Sequence, residues 1–227
     1  MSSETKEMKK WQEVRQIIHG ERITLGPYYS YQLKNTPRHL LFLLSYYKFA
    51  AKLLGQGKYV LEVGCSEGIG TLLLAEFAQR VVAVDIDADA IYEAKRAFNS
   101  EKIKFMALDF LESSIDIFDA VVSFDVIEHI YPENENSFFI SICKNLKDNG
   151  VCIIGTPNKT SEQYASEATR MGHINMYTWD RLRDSMSRFF EQVFMFSVND
   201  EMVHTGFYPM AHYLIAVGVN KKNKNED

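Results

Sequence analysis

Glycines cluster in residues 60–70, where an apolar run passes into a segment with helical spacing. A turn at such a junction lets a ligand approach the backbone amides at the N-terminus of a helix. Gly64, Gly68 and Gly70 are not spaced like the G-x-G-x-x-G turn of dinucleotide-binding folds. The segment therefore indicates a small-ligand site of another kind, and a tight structural turn is the alternative interpretation.

Two acidic residues accompany this turn near the ends of predicted strands. Glu62 lies within the apolar run 60–63, where a carboxylate is unfavourable unless another group pairs with it. Asp85 closes the next apolar run, 81–85. An acid at the tip of the second strand of a nucleotide-binding fold can accept both hydroxyl groups of a ribose. Asp85 therefore predicts a ligand that carries a ribose. The position of Glu62 in an apolar run predicts that another group pairs with its carboxylate.

The elements that position these residues alternate between strand and helix. Near-continuous apolar runs are typical of parallel strands buried on both faces, and intervening helices give right-handed crossovers. No helix separates the last two strands, which predicts an antiparallel hairpin at one sheet edge. We expect an α/β, Rossmann-like, doubly wound, mostly parallel seven-stranded sheet with strands at 58–63, 81–85, 103–108, 118–124, 151–155, 192–198 and 212–219.

Helices precede the sheet and fill its intervals. An amphipathic helix is predicted at 8–19, with Gly20 at its end, followed by an irregular segment at 26–31. Thr36 and Gly55 are expected to bound the next helix. Further helices are predicted at 70–77, 89–98 and 132–146 and after the capping residue Thr178.

These elements divide the chain into an N-terminal helical cap at 1–35, a main α/β domain at 36–220 and a charged tail at 221–227. Within the main domain, the polar segment 159–177 is an insertion between the fifth strand and its helix. Ligand crevices of open α/β sheets lie at the carboxyl ends of the strands. We therefore expect the insertion to overhang the site.

The glycine turn, the acids and the strand ends together resemble the class I methyltransferase family, which binds S-adenosylmethionine. The resemblance covers residues 58–158 well and the rest of the chain loosely. It implies S-adenosylmethionine as cofactor and methyl transfer as the reaction. The residues that it assigns to cofactor binding are Glu62, Gly64, Ser66, Gly68, Asp85, Ile86, Asp109, Phe110 and Phe124.

The resemblance also implies a role for each group. Glu62 and the turn residues lie at the methionine end of the cofactor, and Asp85 holds the ribose. Ile86 packs on the adenine, and Asp109 accepts a hydrogen bond from the adenine amino group. The segment 124–129, at the end of the fourth strand, lies under the reacting methyl group.

The cap carries aromatic residues that can cover the cofactor. The rings of Tyr28 and Tyr29 can pack on the donor and tolerate its sulfonium charge through cation–π attraction. A cap that contacts only the core of the domain is the alternative interpretation.

Three histidines are candidate catalytic bases. Displacement at a sulfonium mainly needs alignment of the reactants, and a base is required only when a hydroxyl acceptor must lose its proton. His173 lies in the insertion, His129 follows the fourth strand, and His204 lies in the last hairpin loop. A structural role is the alternative for each of them. Glu128 is interpreted as a structural acid at a helix N-terminus, and no metal is expected.

The strand ends also bear on the acceptor. The fourth strand ends in Phe-Asp-Val-Ile, which is not the Asn-Pro-Pro-Tyr motif of enzymes that methylate nucleobase amino groups. The Glu-His after this strand and the Thr-Pro-Asn after the fifth are similar to small-molecule methyltransferases, including ubiquinone-biosynthesis O-methyltransferases and enzymes that decorate sugars. We expect O-methylation of a small molecule, preferably a sugar, sugar nucleotide or glycan precursor. N-methylation of a small amine and a catalytically silent binding or regulatory subunit are the alternatives.

Bulk properties constrain the partners and the location. A net charge of -5 argues against binding to a nucleic-acid backbone, and no apolar run approaches the length of about 20 residues that spans a bilayer. The three cysteines lack metal or redox spacing and are expected to be reduced. We expect a cytoplasmic protein with a small-molecule partner, no nucleic acid and no membrane insertion; the oligomeric state is left open.

Overall fold

The apolar runs of the sequence become the strands of one sheet. In the computed structural model, which describes residues 5–18 and 22–222 apart from the side chain of residue 168, this sheet has eight strands. The strands are β1 (Tyr59–Val63), β2 (Arg80–Asp85), β3 (Ile103–Ala107), β4 (Phe118–Phe124), β5 (Leu146–Pro157), β6 (Phe190–Asn199), β7 (Met202–His204) and β8 (Tyr213–Lys221).

The strand order is β3-β2-β1-β4-β5-β8-β6-β7. The first five strands in this order are parallel, and β8 joins β5 antiparallel and pairs with β6 on its other side. This arrangement confirms the Rossmann-like, mostly parallel sheet and its antiparallel terminal strands. The expected count of seven is wrong by one, because the three-residue β7 turns back on β6 at Asp200. A run of three residues is too short to show a strand pattern.

Helices cover both faces of the sheet. The helices are α1 (Lys6–Ile17), α2 (Pro27–Asn35), α3 (Pro37–Leu54), α4 (Ile69–Phe77), α5 (Ala88–Ala97), α6 (Glu135–Lys144), α7 (Glu167–Gly172) and α8 (Trp179–Ser187).

Successive strand residues enter two different cores. Val60 packs with α3, α4 and α5 on one face of the sheet, whereas Leu61 packs with α6 and α8 on the other. Both residues are fully buried, which is the pattern of a parallel strand covered on both faces. The carboxyl ends of the parallel strands then open at one edge, where the glycine turn lies.

The segment expected to be irregular at 26–31 instead begins helix α2. Pro27 occupies its first turn, where a missing N–H does no harm. The amides of Tyr28 and Tyr29 donate to the carboxylate of Glu67, which lies in the glycine turn. The local sequence does not predict the start of this helix, because the carboxylate that accepts from its first amides belongs to Glu67, 38 residues after Tyr29.

The two ends of the chain differ from expectation in detail. Helix α1 has no buried residue, and Trp11 on its expected apolar face is 54% exposed. Gly20, the expected helix stop, lies outside the described residues. The last strand reaches Lys221, which was expected to begin the tail, and residues 223–227 also lie outside the described part. Within that part, no helix combines the length and apolarity required to cross a membrane.

Candidate functional site

The carboxyl ends of β1, β2 and β4 open into a crevice of about 1540 Å³. Helix α2, the start of α3 and residues of the insertion 159–177 also line it. Three predicted site residues, Glu62, Gly68 and His204, do not line the crevice. Those that do are Tyr28, Tyr29, Gly64, Ser66, Asp85, Ile86, Asp109, Phe110, Phe124, His129 and His173.

The glycine turn after β1 requires backbone that other residues rarely adopt. Gly64 has φ 82°, and a Cβ there would approach the Val126 side chain to 2.1 Å. Gly68 also has positive φ, but its missing Cβ makes room for the ring of Phe105, not for a ligand. Gly64 and Ser66 therefore form the wall of the crevice, and Gly68 shapes the turn behind it.

Asp85 ends β2 beside this turn. One carboxylate oxygen accepts from the Ser66 amide at 2.7 Å, and the other accepts from the Asp87 amide at 2.9 Å. Ile86 is 74% exposed on the crevice side, as an apolar platform for a ring would be. The Asp109 carboxylate accepts from the Leu111 amide at 3.0 Å and is exposed. The polar and apolar groups expected around a nucleoside therefore share one end of the crevice.

Glu62 is fully buried under the turn. Among the described residues, neither of its carboxylate oxygens has a hydrogen-bond partner of good geometry. Burial raises the pKa of Glu62 to about 7, and the nearby hydroxyls of Thr71 and Tyr47 offset part of that effect. An unpartnered buried carboxylate is unfavourable, so a cationic or donor group is the partner that this position lacks.

The end of β4 carries a second group of acids. Asp125 has φ 57°, and burial raises its pKa to about 6 while the Tyr213 hydroxyl offsets part of the rise. Glu128 is 1% exposed and accepts from the Thr156 hydroxyl at 2.9 Å through one oxygen. Burial, and then the charge of Asp125, raise the pKa of Glu128. Two neighbouring carboxyl groups, the half-buried Asp125 and the fully buried Glu128, therefore lie at the end of β4.

Two histidines lie against these acids. The rings of His129 and His173 meet edge to face with centroids 5.0 Å apart. His129 Nδ1 lies 2.8 Å from the carbonyl oxygen of Gly172, so this nitrogen donates to it. Burial, and then the neighbouring His129, lower the pKa of His173. The structure thus brings the first two candidate bases together at the end of β4.

A buried network fixes the insertion in place. Glu135 of α6 accepts from the Tyr177 hydroxyl at 2.6 Å and pairs with Arg181 of α8 and with Arg188, the residue after α8. The amide of Asn175 donates to the Glu128 carbonyl at 3.0 Å. These bonds connect the segment that carries His173 to the end of β4, so the position of His173 depends on tertiary contacts.

The third candidate base lies elsewhere. His204 in β7 has Nε2 2.9 Å from Asn199 Oδ1, and its Nδ1 accepts from the Gly206 amide at 2.9 Å. Both ring nitrogens are therefore used within the β6–β7 hairpin. The structure does not bring His204 to the crevice.

Sequence reasoning missed part of this site. Asp125 lines the crevice beside Tyr46 and Tyr213, whose rings stack with centroids 4.1 Å apart. An available signal was the position of Asp125 directly after the fourth strand, where parallel strands present side chains to a ligand. The aromatic pair had no such signal, because its members come from α3 and β8.

The fold and the crevice define a class of protein: a Rossmann-like domain whose glycine turn and strand-end acids line a crevice at the carboxyl ends of its parallel strands. A family profile described as a methyltransferase domain matches residues 35–189. The chain belongs to this family, among the class I S-adenosylmethionine-dependent methyltransferases.

Individual relatives match part of the chain. A probable S-adenosylmethionine-dependent methyltransferase of Mycolicibacterium smegmatis is 35% identical over 45% of this chain and 39% of its own length. A ubiquinone biosynthesis O-methyltransferase of Rickettsia typhi is 33% identical over 46% of this chain and 43% of its own. The matches therefore span less than half of these curated relatives.

Solved structures share the fold at low identity. The N-methyltransferase NodS of Bradyrhizobium japonicum WM9, in complex with S-adenosylhomocysteine, has a TM-score of 0.61 at 18% identity and covers 92% of this chain and 97% of its own. The methyltransferase domain of bacterial CtHen1-C has a TM-score of 0.64 at 17% identity, with 79% and 97% covered. At this identity the likeness concerns the fold alone.

Proposed function

We propose that this chain transfers the methyl group of S-adenosylmethionine to a hydroxyl group of a small molecule, such as a sugar, sugar nucleotide or glycan precursor. One observation carries the proposal: His129 and His173 lie together beside Asp125 and Glu128 at the end of β4. A hydroxyl acceptor must lose a proton as it is methylated, whereas a neutral amine can attack without a base. These groups supply the means to remove that proton.

The residues of the crevice fit the cofactor. Gly64 and Ser66 would bring the backbone of the turn against the cofactor, and the buried Glu62 carboxylate behind them is the proposed partner of its ammonium group. Asp85 would hold the ribose, and Ile86 and Asp109 would contact the adenine. Tyr28 and Tyr29 would cover the donor. When bound, S-adenosylmethionine supplies a methyl group activated by its sulfonium charge.

The chain itself aligns the acceptor, excludes water and handles the proton. The insertion closes over the strand ends, and alignment of two reactants contributes about 7–11 kcal/mol to barrier lowering. Tyr31, Tyr131, Tyr164, Ser161 and Ser166 also line the crevice. Tyrosine rings and hydroxyl groups of this kind suit a polyol or sugar acceptor. The O-methyltransferase relatives support the same reaction type.

The test is methyl transfer from labelled S-adenosylmethionine to matched hydroxyl and amine acceptors. We expect hydroxyl compounds to be methylated. We expect His173→Ala to lower kcat by about two orders of magnitude, within the range typical of general-base assistance. The S-adenosylhomocysteine affinity of this variant should equal that of the wild type. His204→Ala is the matched control, because its ring lies outside the crevice.

Three results would count against the proposal. Full kcat in both His129→Ala and His173→Ala would show that neither histidine is needed to remove the proton of the acceptor. Methylation of amines alone would make the chain an N-methyltransferase. Absence of any turnover with intact S-adenosylhomocysteine binding would make it a binding or regulatory subunit.

A further inference from the structure

Glu128, His129 and His173 form a group with the composition of a metal site. Each offers one ligand atom, and the three atoms all lie within 4.8 Å of one another. Ligands of one ion with bonds of about 2.1 Å lie roughly 3–3.5 Å apart. Side-chain rotations that shorten these distances by at most about 1–2 Å would therefore bring all three ligand atoms onto one ion.

The Glu128 carboxylate has an oxygen that lacks a partner. Its other oxygen accepts from Thr156, but Oε1 is buried without a hydrogen bond among the described residues. Neither Glu128 nor Asp125 forms an ion pair with a Lys or Arg side chain in the described part of the chain. A buried carboxylate is stable when a cation pairs with it, and this position lacks one.

His129 is already oriented as metal-binding histidines usually are. Its Nδ1 donates to the Gly172 carbonyl at 2.8 Å, which leaves the lone pair on Nε2. Such a bond from the second ring nitrogen fixes the tautomer and orientation of a ligating imidazole. The carbonyl belongs to the residue before His173, so one contact positions both histidines.

We infer that Glu128, His129 and His173 bind a divalent transition-metal ion, of the Mn²⁺ or Zn²⁺ kind, at the acceptor end of the crevice. Imidazole favours zinc and its neighbours, and carboxylate oxygen favours manganese. Three protein ligands on one side of an ion leave open positions toward the crevice. This departs from the expectation, drawn from the sequence, that Glu128 is a structural acid and no metal is bound.

The role of the ion rests on the proposed hydroxyl acceptor, although the binding itself does not. The acceptor oxygen would occupy an open position on the ion, which lowers the pKa of a bound hydroxyl group. With the ion bound, His129 and His173 act as its ligands and not as the base, and the proton of the hydroxyl group passes to water. The oxygen lone pair then forms the O–CH₃ bond, the S–CH₃ bond breaks, and its electron pair remains on sulfur as the neutral thioether.

The experiment titrates the EDTA-treated, dialysed full chain with MnCl₂ and follows free Mn²⁺ by electron paramagnetic resonance, with ZnSO₄ as competitor. We expect one ion per chain. Glu128→Gln, His129→Ala and His173→Ala should each raise the Kd at least tenfold, the lower end of the loss seen when even an outer partner of a ligand is removed. His204→Ala and the exposed Glu133→Gln are the controls and should bind as the wild type does.

Two results would overturn the site: no binding of either ion by the wild type, or equal binding by the three variants. Unchanged S-adenosylhomocysteine affinity shows that a variant is folded. Full methyl transfer by the ion-free wild type would remove the catalytic role and leave the proposed function standing. Binding of Mn²⁺ at these residues, combined with methylation of amines alone, would leave the metal site standing and overturn the proposed methylation of a hydroxyl group. Loss of transfer in EDTA, restored by MnCl₂, supports both.

Discussion

At the scale of single residues, Asp85 holds the glycine turn, and we propose that it also binds the ribose. Its oxygens already accept from the amides of Ser66 and Asp87, so it holds the glycine turn in place before any ligand binds. A carboxylate has about four lone-pair positions, and two remain available. Asp85 can therefore shape the turn and accept from a ribose at the same time.

We expect Asp85→Ala to weaken S-adenosylhomocysteine binding by about ten- to a hundredfold, since hydrogen bonds to a charged group contribute about 1.5–3 kcal/mol. Isothermal titration calorimetry measures the change. Asp87→Ala is the matched control: its carboxylate caps α5 through the Asp89 and Ala90 amides, so it should lower thermal stability and leave affinity unchanged. Equal affinity in Asp85→Ala and wild type would remove the ribose role.

The residues that could be predicted from sequence are those whose signal is local. The glycine turn and Asp85 lie next to the strands that they follow, and type and spacing alone indicate a ligand. The grouping of His129 with His173 could not be derived, because the Glu135 network sets the position of the insertion through Tyr177, Arg181 and Arg188. His204 carried the same local signal as the other histidines, yet both of its nitrogens are used in the hairpin.

At the scale of elements, helix α2 and the glycine turn form one unit. Glu67, in the turn, accepts from the amides of Tyr28 and Tyr29 at 2.8 and 3.0 Å. These amides are in the first turn of α2, where backbone donors lack partners within the helix. Gly26 lies so close that a Cβ would come within 2.4 Å of the Glu67 carboxyl carbon. The helix that would cover the donor is therefore attached to the loop that would bind it.

Removing this contact should loosen α2. We expect Glu67→Ala to increase hydrogen exchange at Gly26–Gln32 by about tenfold, because loss of a helix cap costs typically about 1 kcal/mol and charge-assisted bonds contribute more. The affinity for S-adenosylhomocysteine should fall as well, since Tyr28 and Tyr29 line the crevice. Exchange followed by mass spectrometry makes the comparison.

Glu76→Ala, an exposed residue of α4, is the control and should leave both measurements unchanged. If exchange at Gly26–Gln32 is the same in Glu67→Ala and the wild type, the carboxylate does not hold α2. Protection that does not rise when S-adenosylhomocysteine binds would mean that the cap contacts only the core.

The elements themselves were predictable wherever a run was long and regular. The five parallel strands and the helices between them follow from apolar runs and caps, as Thr178 shows by accepting from the Arg181 amide at the start of α8. Helix α2 and strand β7 were not predictable for different reasons. The first depends on a cap from a distant loop, and the second has only three residues and exists because β6 lies beside it.

At the scale of the whole molecule, ionisation of the buried Glu62 carboxyl group lowers the free energy of unfolding. Glu62 is buried without a full set of partners, and its pKa is about 7 against an ordinary value of 4.5. The folded chain therefore keeps a proton that the unfolded chain releases above about pH 4.5. Stability from this group is complete below that pH and is lost as the pH rises to about 7. The ionised Glu62 carboxylate remains unfavourable in the folded chain until a cation pairs with it.

This linkage gives a measurable pH dependence. One pKa unit corresponds to about 1.4 kcal/mol, so the difference in unfolding free energy between wild type and Glu62→Gln should fall by about 2.5 kcal/mol between pH 5 and pH 8. Urea denaturation at a series of pH values measures it, and Glu62→Gln removes the titrating group while keeping the side-chain shape. If the ammonium group of S-adenosylhomocysteine pairs with Glu62, saturating ligand should reduce this fall in the wild type. Parallel pH profiles for the two proteins without ligand would show that Glu62 is ionised at little cost, and an equal fall with and without ligand would place the ammonium group elsewhere.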